Sequence, residues 1–304
     1  MSGVAAFYKF VDIEEPAALV GALQALCDEL ALTGTILVAS EGINGTVTGA
    51  DHQLQELIDH LLADPRFLDM PVKFSSAGER NPVFHRMKVR LKQEIVALKQ
   101  TGVNVAKRTG THVDAETWNR LLDDPEVVVI DTRNGYEIAV GSFAGAIDPR
   151  TRSFREFPEF VASQLDPANN RRVAMFCTGG IRCEKASAFM LEKGFQHVYQ
   201  LDGGVLKYLE TVGEDSRFIG ECFVFDQRVS VTANLEEGQY VQCHACRQPL
   251  AEEDVQSPAF EEGVSCPYCI DALSETRKAG FRERQRQVEL AEARGERHVG
   301  ASMP

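Results

Sequence analysis

The sequence predicts an α/β protein in three parts: a small split β-α-β unit, a doubly wound parallel sheet, and a Cys-rich C-terminal module. Three observations predict it. The first hundred residues run β-α-β-β-α-β. The middle of the chain alternates continuous apolar strands with helical segments. Two C-x-x-C pairs follow, in a segment that turns polar after about Cys222.

The elements follow in order. Phe7–Val11 is a strand candidate. Pro16–Leu30 carries Leu19, Leu23, Leu26 and Leu30 at helical spacing. Thr35–Ser40 is a second strand, Gly42-Ile43-Asn44-Gly45 reads as a turn, and Thr46–Thr48 returns as a third strand. Leu54–Leu62 is a second amphipathic helix, Val72–Phe74 a fourth strand, and Met87–Leu91 alternates apolar with basic residues. This order is the ferredoxin-like α+β arrangement, placed over residues 1–100. Lys99–Val113 reads as a linker. The doubly wound domain is expected over 114–219. Val127–Ile130 and Val173–Phe176 are uninterrupted apolar strands, as in a parallel sheet covered on both faces. Ala186–Leu191 is helical and His197–Leu201 is a further strand, followed by Gly203-Gly204. The Cys-rich module is placed at 220–275. The tail, 276–304, has a helix-forming Arg/Glu/Gln/Ala composition with a weak apolar stripe, so it should fray or order only on a partner.

The chain has 304 residues with 44% apolar and 25% charged composition, ordinary for a soluble protein. Ile36–Ala39 and Val127–Ile130, the longest apolar runs, are far too short to span a membrane, and no signal segment opens the chain. A cytoplasmic location is expected. Eight cysteines there point to metal or redox chemistry rather than to disulfides. A net charge of −13 argues against general nucleic-acid binding. It conceals a basic island, however. Arg86, Lys88, Arg90, Lys92, Lys99, Lys107 and Arg108 lie together with Glu94 as the single acid. The first four alternate onto one face of a strand. They form either a solvated face or a phosphate-binding strip.

Cys177 directly follows a buried strand and precedes a helix, where open α/β sheets place reactive groups. Its loop reads Cys177-Thr178-Gly179-Gly180-Ile181-Arg182. The glycines let successive N–H groups converge on one point, and a helix N-terminus lies behind them, a combination that stabilises an anion. The Cys177 pKa should therefore be lowered, favouring the thiolate. Arg182 adds fixed positive charge. Cys183 either resolves an oxidised or persulfidated Cys177 as a disulfide or simply packs at the start of the helix. Arg182 and Lys185 are candidates to contact a substrate phosphate.

This loop resembles the active-site loop of the rhodanese homology domain. Asp131-Thr132-Arg133 resembles that domain's D-x-R element, with Glu137 and Gly145-Ala146 following, while Ser142 stands where His is often found. Four longer segments narrow the resemblance: Glu41–Thr46, Lys88–Lys92, Phe176–Ala186 and Gly220–Asp226. Together they are similar to the bacterial tRNA uridine-34 hydroxylase family, rhodanese-domain proteins that make 5-hydroxyuridine at the wobble position using molecular oxygen. The resemblance runs from about Phe7 to about Cys269. It implies an oxidoreductase acting on the anticodon stem-loop of tRNA. The catalytic set would be Cys177, Arg182 and Cys183, with Thr178, Gly179, Gly180 and Ile181 cradling an anion. Asp131, Arg133 and Lys185 would support the loop, and Arg86, Lys88, Arg90 and Lys92 would contact the RNA. Molecular oxygen would be co-substrate; no flavin, haem, nicotinamide or non-haem iron motif is present. A sulfurtransferase working through a Cys177 persulfide shares the same loop. A non-catalytic binding module would more often have lost the cysteine.

Cys243-x-x-Cys246 and Cys266-x-x-Cys269 are separated by 19 residues. That spacing fits a structural tetrahedral zinc site, with four thiolates leaving no position for water. His244 is expected to point away from it, and Cys222 is too distant to assign.

Overall fold

The computed structural model describes residues 2–76 and 84–295. The N-terminal domain is built from β1 (Ser2–Phe10), α1 (Pro16–Glu29), β2 (Thr33–Ala39), β3 (Gly42–Ala50), α2 (Asp51–Ala63), β4 (Val72–Ser76) and β5 (Met87–Leu91). The sheet order is β4-β1-β3-β2-β5. The first four strands pair antiparallel in the split β-α-β order, and β5 adds an edge strand parallel to β2. Both helices cover one face. Leu23 and Cys27 of α1 and Leu54, Leu57, Ile58 and Leu61 of α2 close on Ala5, Phe7, Ile36, Val38, Ile43 and Val47.

The opposite face carries no helix of its own, and strand register defines what it displays. One row across the sheet reads Lys73, Ala6, Thr46, Thr35, Lys88. The next reads Tyr8, Asn44, Leu37, Arg90. Side chains alternate along a strand, so Lys88 and Arg90 share a face with Tyr8 and Lys73.

The expected turn at Gly42–Gly45 is not a turn. The chain reverses at Ser40-Glu41, and Gly42–Gly45 is paired strand, from Phe10 opposite Gly42 to Phe7 opposite Gly45. A Cβ on Gly45 would sit 2.4 Å from the Phe7 ring. Glycine is there to let an aromatic core residue lie across the backbone. Its neighbours hold the segment that follows β5: Glu41 accepts from Ile95 N–H, and Asn44 donates to the Ile95 carbonyl.

The second domain comprises β6 (Thr111–Val113), α3 (Ala115–Asp123), β7 (Val127–Asp131), α4 (Gly135–Ile138), β8 (Gly141–Phe143), α5 (Phe157–Gln164), β9 (Arg172–Phe176), α6 (Ile181–Glu192), β10 (His197–Leu201) and α7 (Gly204–Val212). Its sheet, β6-β10-β9-β7, is wholly parallel. Central strand β9 shows why it reads as continuously apolar. Val173 and Met175 pack with α5 and α6, while Ala174 and Phe176 pack with Trp118, Phe143 and Tyr208. The end of the expected linker, Thr111–Val113, is itself a strand of this sheet.

This domain also extends further than the sequence suggests. β11 (Phe218–Gly220) pairs with β8, and β12 (Cys222–Phe223) forms a hairpin with β13 (Ser230–Val231). Phe218, Cys222, Val224 and Val231 complete the cluster around Trp118. Alternating buried residues, rather than a long apolar run, hid this segment. Burial pushes the Cys222 thiol up to about 12, so it is an inert core residue. The Cys-rich module then contains β14 (Val241–Gln242), β15 (Pro249–Leu250) and α8 (Glu252–Val255).

The last element, α9 (Glu275–Ala293), is anchored on this module. Arg282 grips Glu261 through two hydrogen bonds of 2.6 Å, and Arg284 donates to the carbonyls of His244 and Gly263. Polar side chains thus dock a helix that lacks an apolar stripe, a contact the helical period alone could not reveal. The remainder of the expected tail, 296–304, lies outside the described residues. No helix of the described residues is long and apolar enough to cross a membrane.

Candidate active site

Phe176 ends β9 with no exposed surface, its ring edge-on to Trp118 and Phe143. The Phe176 carbonyl accepts from both the backbone N–H and the hydroxyl of Thr132. The strand end is therefore rigid, and the next residue, Cys177, starts the loop from a fixed point. Helix α6 begins at Ile181, immediately after Gly180, whose φ of +100° is a conformation that favours glycine.

The reason for the second glycine pair, Gly203-Gly204, lies under this loop. Val205 N–H donates to the Cys177 carbonyl at 2.9 Å, and Leu206 N–H donates to the Thr178 carbonyl at 3.1 Å. A Cβ on Gly204 would lie 2.4 Å from the Cys177 carbonyl oxygen. The first turn of α7 thus takes up the loop carbonyls. The loop N–H groups are left to face the sulfur, and Gly180 N–H donates to Cys177 Sγ at 3.1 Å.

Cys177 is completely buried. Burial alone would raise its pKa. That effect is outweighed by the Cys183 thiol donating to it, by the Arg182 charge, and by the N–H groups of Cys183 and Arg182. Together they pull Cys177 down to about 5. Cys183 moves the other way, well above the ordinary thiol range. Burial, its hydrogen bond to Cys177 and the Cys177 charge all hold its proton on. The pair shares one proton, with a thiolate at 177 and a thiol at 183.

The positive charge is fixed in place. Arg182 makes a fork to Glu137 through bonds of 2.6 and 2.7 Å, with both side chains buried. Its guanidinium also lies 5.8 Å from the centroid of the Phe225 ring. The expectation that Arg182 grips a substrate phosphate is not met, because the carboxylate already fills its fork. Lys185 does not serve that purpose either. It is 2% exposed, bonded to Glu41 at 2.8 Å, to the Val96 carbonyl at 2.9 Å, and to Glu94. A lysine offered as a phosphate contact is instead a buried tether between the two domains. Asp131 and Arg133 form a fully buried pair beneath the loop, and Ser142 donates its hydroxyl to Asp131 at 2.8 Å.

Sequence reasoning missed the contribution of the N-terminal domain. The open face of its sheet meets the loop directly. Tyr8 Oη lies 3.5 Å from Glu184, and a Cβ on Gly180 would come within 2.7 Å of that same oxygen. Lys73 donates to the Gly203 carbonyl at 2.7 Å. Burial lowers its pKa, although Glu210, Asp202 and Cys177 pull the other way. Glu184 gathers the hydroxyl of Thr109, the amide of Gln200 and the ring of His112, at 2.9, 3.1 and 2.8 Å. The only available signal was the alternation of Tyr8 and Lys73 onto the polar side of their strands.

Arg86, Lys88, Arg90 and Lys92 occupy the far edge of that same open face. Lys88 is drawn below the ordinary lysine range, first by burial and then by the charges of Arg86 and Arg90, so these three do lie together. Three strand spacings separate β1 from β5, placing Arg90 roughly 14 Å from Tyr8. Lys99, Lys107 and Arg108 fall in the irregular segment before β6.

In the C-terminal module, the sulfurs of Cys243, Cys246, Cys266 and Cys269 all lie within 4.8 Å of one another. Cys246 to Cys266 is 3.6 Å and Cys266 to Cys269 is 3.7 Å. Four sulfurs at ~2.3 Å from a central zinc stand about 3.8 Å apart, so the cluster fits that ion. The surrounding core is small, with Leu250 as its one fully buried aliphatic residue. The His244 ring is not part of the ligand set.

Two family models agree with this architecture. A family described as UPF0176 acylphosphatase-like domain matches residues 2–95, and one described as rhodanese-like domain matches residues 114–211. Among solved structures, the rhodanese-like domain of an Anabaena sp. protein is 19% identical, covering 37% of this chain and 80% of that one with a TM-score of 0.31. A rhodanese-related protein from Thermoplasma volcanium is 19% identical, covering 33% and 92%, with a TM-score of 0.26. A tRNA uridine(34) hydroxylase from Sinorhizobium fredii (strain NBRC 101917 / NGR234) is 51% identical over 299 residues, covering 98% of this chain and 95% of that enzyme. With that identity along nearly its whole length, the chain belongs to the tRNA uridine(34) hydroxylase family.

Proposed function

We propose that this protein hydroxylates C5 of uridine 34 in tRNA, in the cytoplasm, with Cys177 as the reacting thiolate. The observation that carries this reading is the meeting of two surfaces. A stabilised Cys177 thiolate lies beneath a sheet face whose other edge bears Arg86, Lys88 and Arg90. A rhodanese that moves sulfur between small molecules has no use for such a face. An enzyme that extrudes one base from an anticodon loop needs both a phosphate grip and a buried reactive group.

In this reading the Cys177 thiolate adds to C6 of the uracil, leaving C5 as an enolate carbon that reacts with oxygen. One oxygen atom stays as the C5 hydroxyl and the other leaves as water, which requires two electrons and two protons. Oxygen adds at C5 as a hydroperoxide, and the free Cys183 thiol takes its outer oxygen, becoming a sulfenic acid and leaving the C5 hydroxyl. Loss of the C5 proton and of the C6–sulfur bond restores the ring and frees Cys177, whose thiolate displaces water from the Cys183 sulfenic acid to form the disulfide; an external thiol then restores the pair.

The test is incubation with unmodified tRNA with and without isotopically labelled oxygen gas, followed by nucleoside mass spectrometry. The expected result is 5-hydroxyuridine carrying the label. No oxygen-dependent product, together with rapid thiosulfate-to-cyanide transfer, would establish the sulfurtransferase instead. The RNA-contacting stripe has its own measurement. Lys88→Ala and Arg90→Ala should each reduce the slope of log affinity against log salt by about 1, without sequence preference. An unchanged slope would remove these residues from the interface.

We assign structural zinc to the four cysteines. Purified protein should contain one zinc per chain. Cys266→Ser should release it and expose the C-terminal module to proteolysis, while the Trp118 fluorescence of the second domain stays native. A native module in the metal-free variant would refute the assignment.

A further inference from the structure

We propose that Phe225 is the stacking platform for the extruded uracil of uridine 34. The inference rests on the substrate reading above and deepens it.

Three exposed aromatic rings occur among the described residues: Phe74, Phe225 and Tyr268. An isolated exposed apolar side chain needs no explanation. Phe225 differs from the other two because it lies against Arg182, a side chain of the Cys177 loop. It is 62% exposed, so one side of the ring is covered and much of the rest is open to solvent.

The ring is also held firmly. Phe225 stands edge-on to Phe223, with centroids 5.1 Å apart at 84°, and Phe223 is itself buried. The chain turns tightly behind it: Val224 N–H donates to the Val229 carbonyl at 2.8 Å, and Val229 N–H donates to the Asp226 carbonyl at 3.1 Å. Arg228 clamps Asp226 through bonds of 3.0 and 2.6 Å. Val229 adopts a φ of +64°, a strained conformation for a β-branched residue. A clamped turn that presents an aromatic ring to solvent beside a reactive loop is suited to receive another flat ring.

The chemistry of the substrate supplies that ring. A base leaving the anticodon stack loses its stacking neighbours, and proteins that take single bases replace them with aromatic side chains. Uracil has a π face and no charge, so Phe suits it. Cys177 has no exposed surface, so the base must enter the loop's shell in a fixed orientation. A ring at the rim, in contact with Arg182, sets that orientation.

The experiment uses the full-length protein and two anticodon stem-loop RNAs, one with uridine at position 34 and one abasic there. The chain's single native tryptophan, Trp118, is fully buried, so Phe225→Trp introduces a distinct fluorescent reporter. We expect strong quenching by the uridine RNA and little by the abasic RNA. Phe225→Ala should lose roughly ten- to a hundredfold in kcat/KM for hydroxylation. It should lose affinity for the uridine RNA and not for the abasic RNA, with its thermal stability unchanged. Phe225→Tyr and Phe225→Trp should recover most of that loss, and Phe225→Leu should not. Equal quenching by both RNAs, wild-type hydroxylation by Phe225→Ala, or full recovery by Phe225→Leu would each overturn the platform. Failure of the wild-type protein to bind either RNA would overturn the substrate reading itself, and the inference with it.

Discussion

Cys177→Ser should abolish 5-hydroxyuridine formation, lowering the rate by at least about a thousandfold, while tRNA binding and the fold are retained. Serine is smaller than cysteine by the difference between one sulfur and one oxygen, and it can still accept the Gly180 N–H. The position is buried but not a packing keystone, so the loop should survive. The nucleophile does not. The loop stabilises an anion at this position by enough to hold a thiol at a pKa of about 5. A serine hydroxyl starts many units higher and remains protonated under the same influences. The paired variant, Cys183→Ser, separates the two roles proposed for the sulfurs. Its Cys177 can still add to the ring, but the second thiol that completes the disulfide is gone. Product should then form only as external thiol substitutes for it, with the loss falling on turnover. If Cys183→Ser turned over at the wild-type rate, Cys183 would be a packed helix residue and the electrons would come from elsewhere. Mass spectrometry of the wild-type enzyme after one anaerobic-to-aerobic cycle should find a 177–183 disulfide.

These residues differ in how legible they were. The Cys177 loop is contiguous, so its six residues announce a strand end, an anion cradle and a helix start within one window. The four clustered cysteines are legible for a related reason: each knuckle is local, and the 19-residue gap is a recognisable spacing. Lys185 was misread because nothing within a helical turn of it signals burial. Its partners Glu41 and Glu94 come from another domain, 144 and 91 residues away. Tyr8 and Lys73 reach the site across 176 and 130 residues and resemble any residues on the polar side of a strand. Gly42–Gly45 illustrates the opposite failure. Two glycines around an Asn give a strong turn signal, and packing against Phe7 gives the same residues a different purpose. Local chemistry was visible in the sequence, whereas the domain interface that surrounds it depends on tertiary placement.

Arg182→Met should destabilise the second domain by about 3–5 kcal/mol, because it leaves the Glu137 carboxylate buried without its partner. Trp118 packs against Phe176 in that domain and is the only tryptophan, so its fluorescence in a urea titration reads the loss directly. Replacing both partners, in Arg182→Met/Glu137→Leu, should recover most of the stability, since apolar side chains of similar volume can fill the space of a buried ion pair. Activity should not return. Arg182 is one of the groups holding Cys177 low, so its removal should move the Cys177 pKa up towards the ordinary thiol range. The sign follows from the active form. In the wild-type enzyme the thiolate is present above about pH 5, and the rate should fall as pH drops through that value. In the double variant the acid limb should shift to higher pH, leaving little thiolate at neutrality. A merely structural Arg182 would show restored stability, restored rate and an unmoved acid limb. Restored stability with a shifted limb would instead separate the two effects of one side chain: its pairing with Glu137 holds the loop together, and its charge keeps Cys177 ionised.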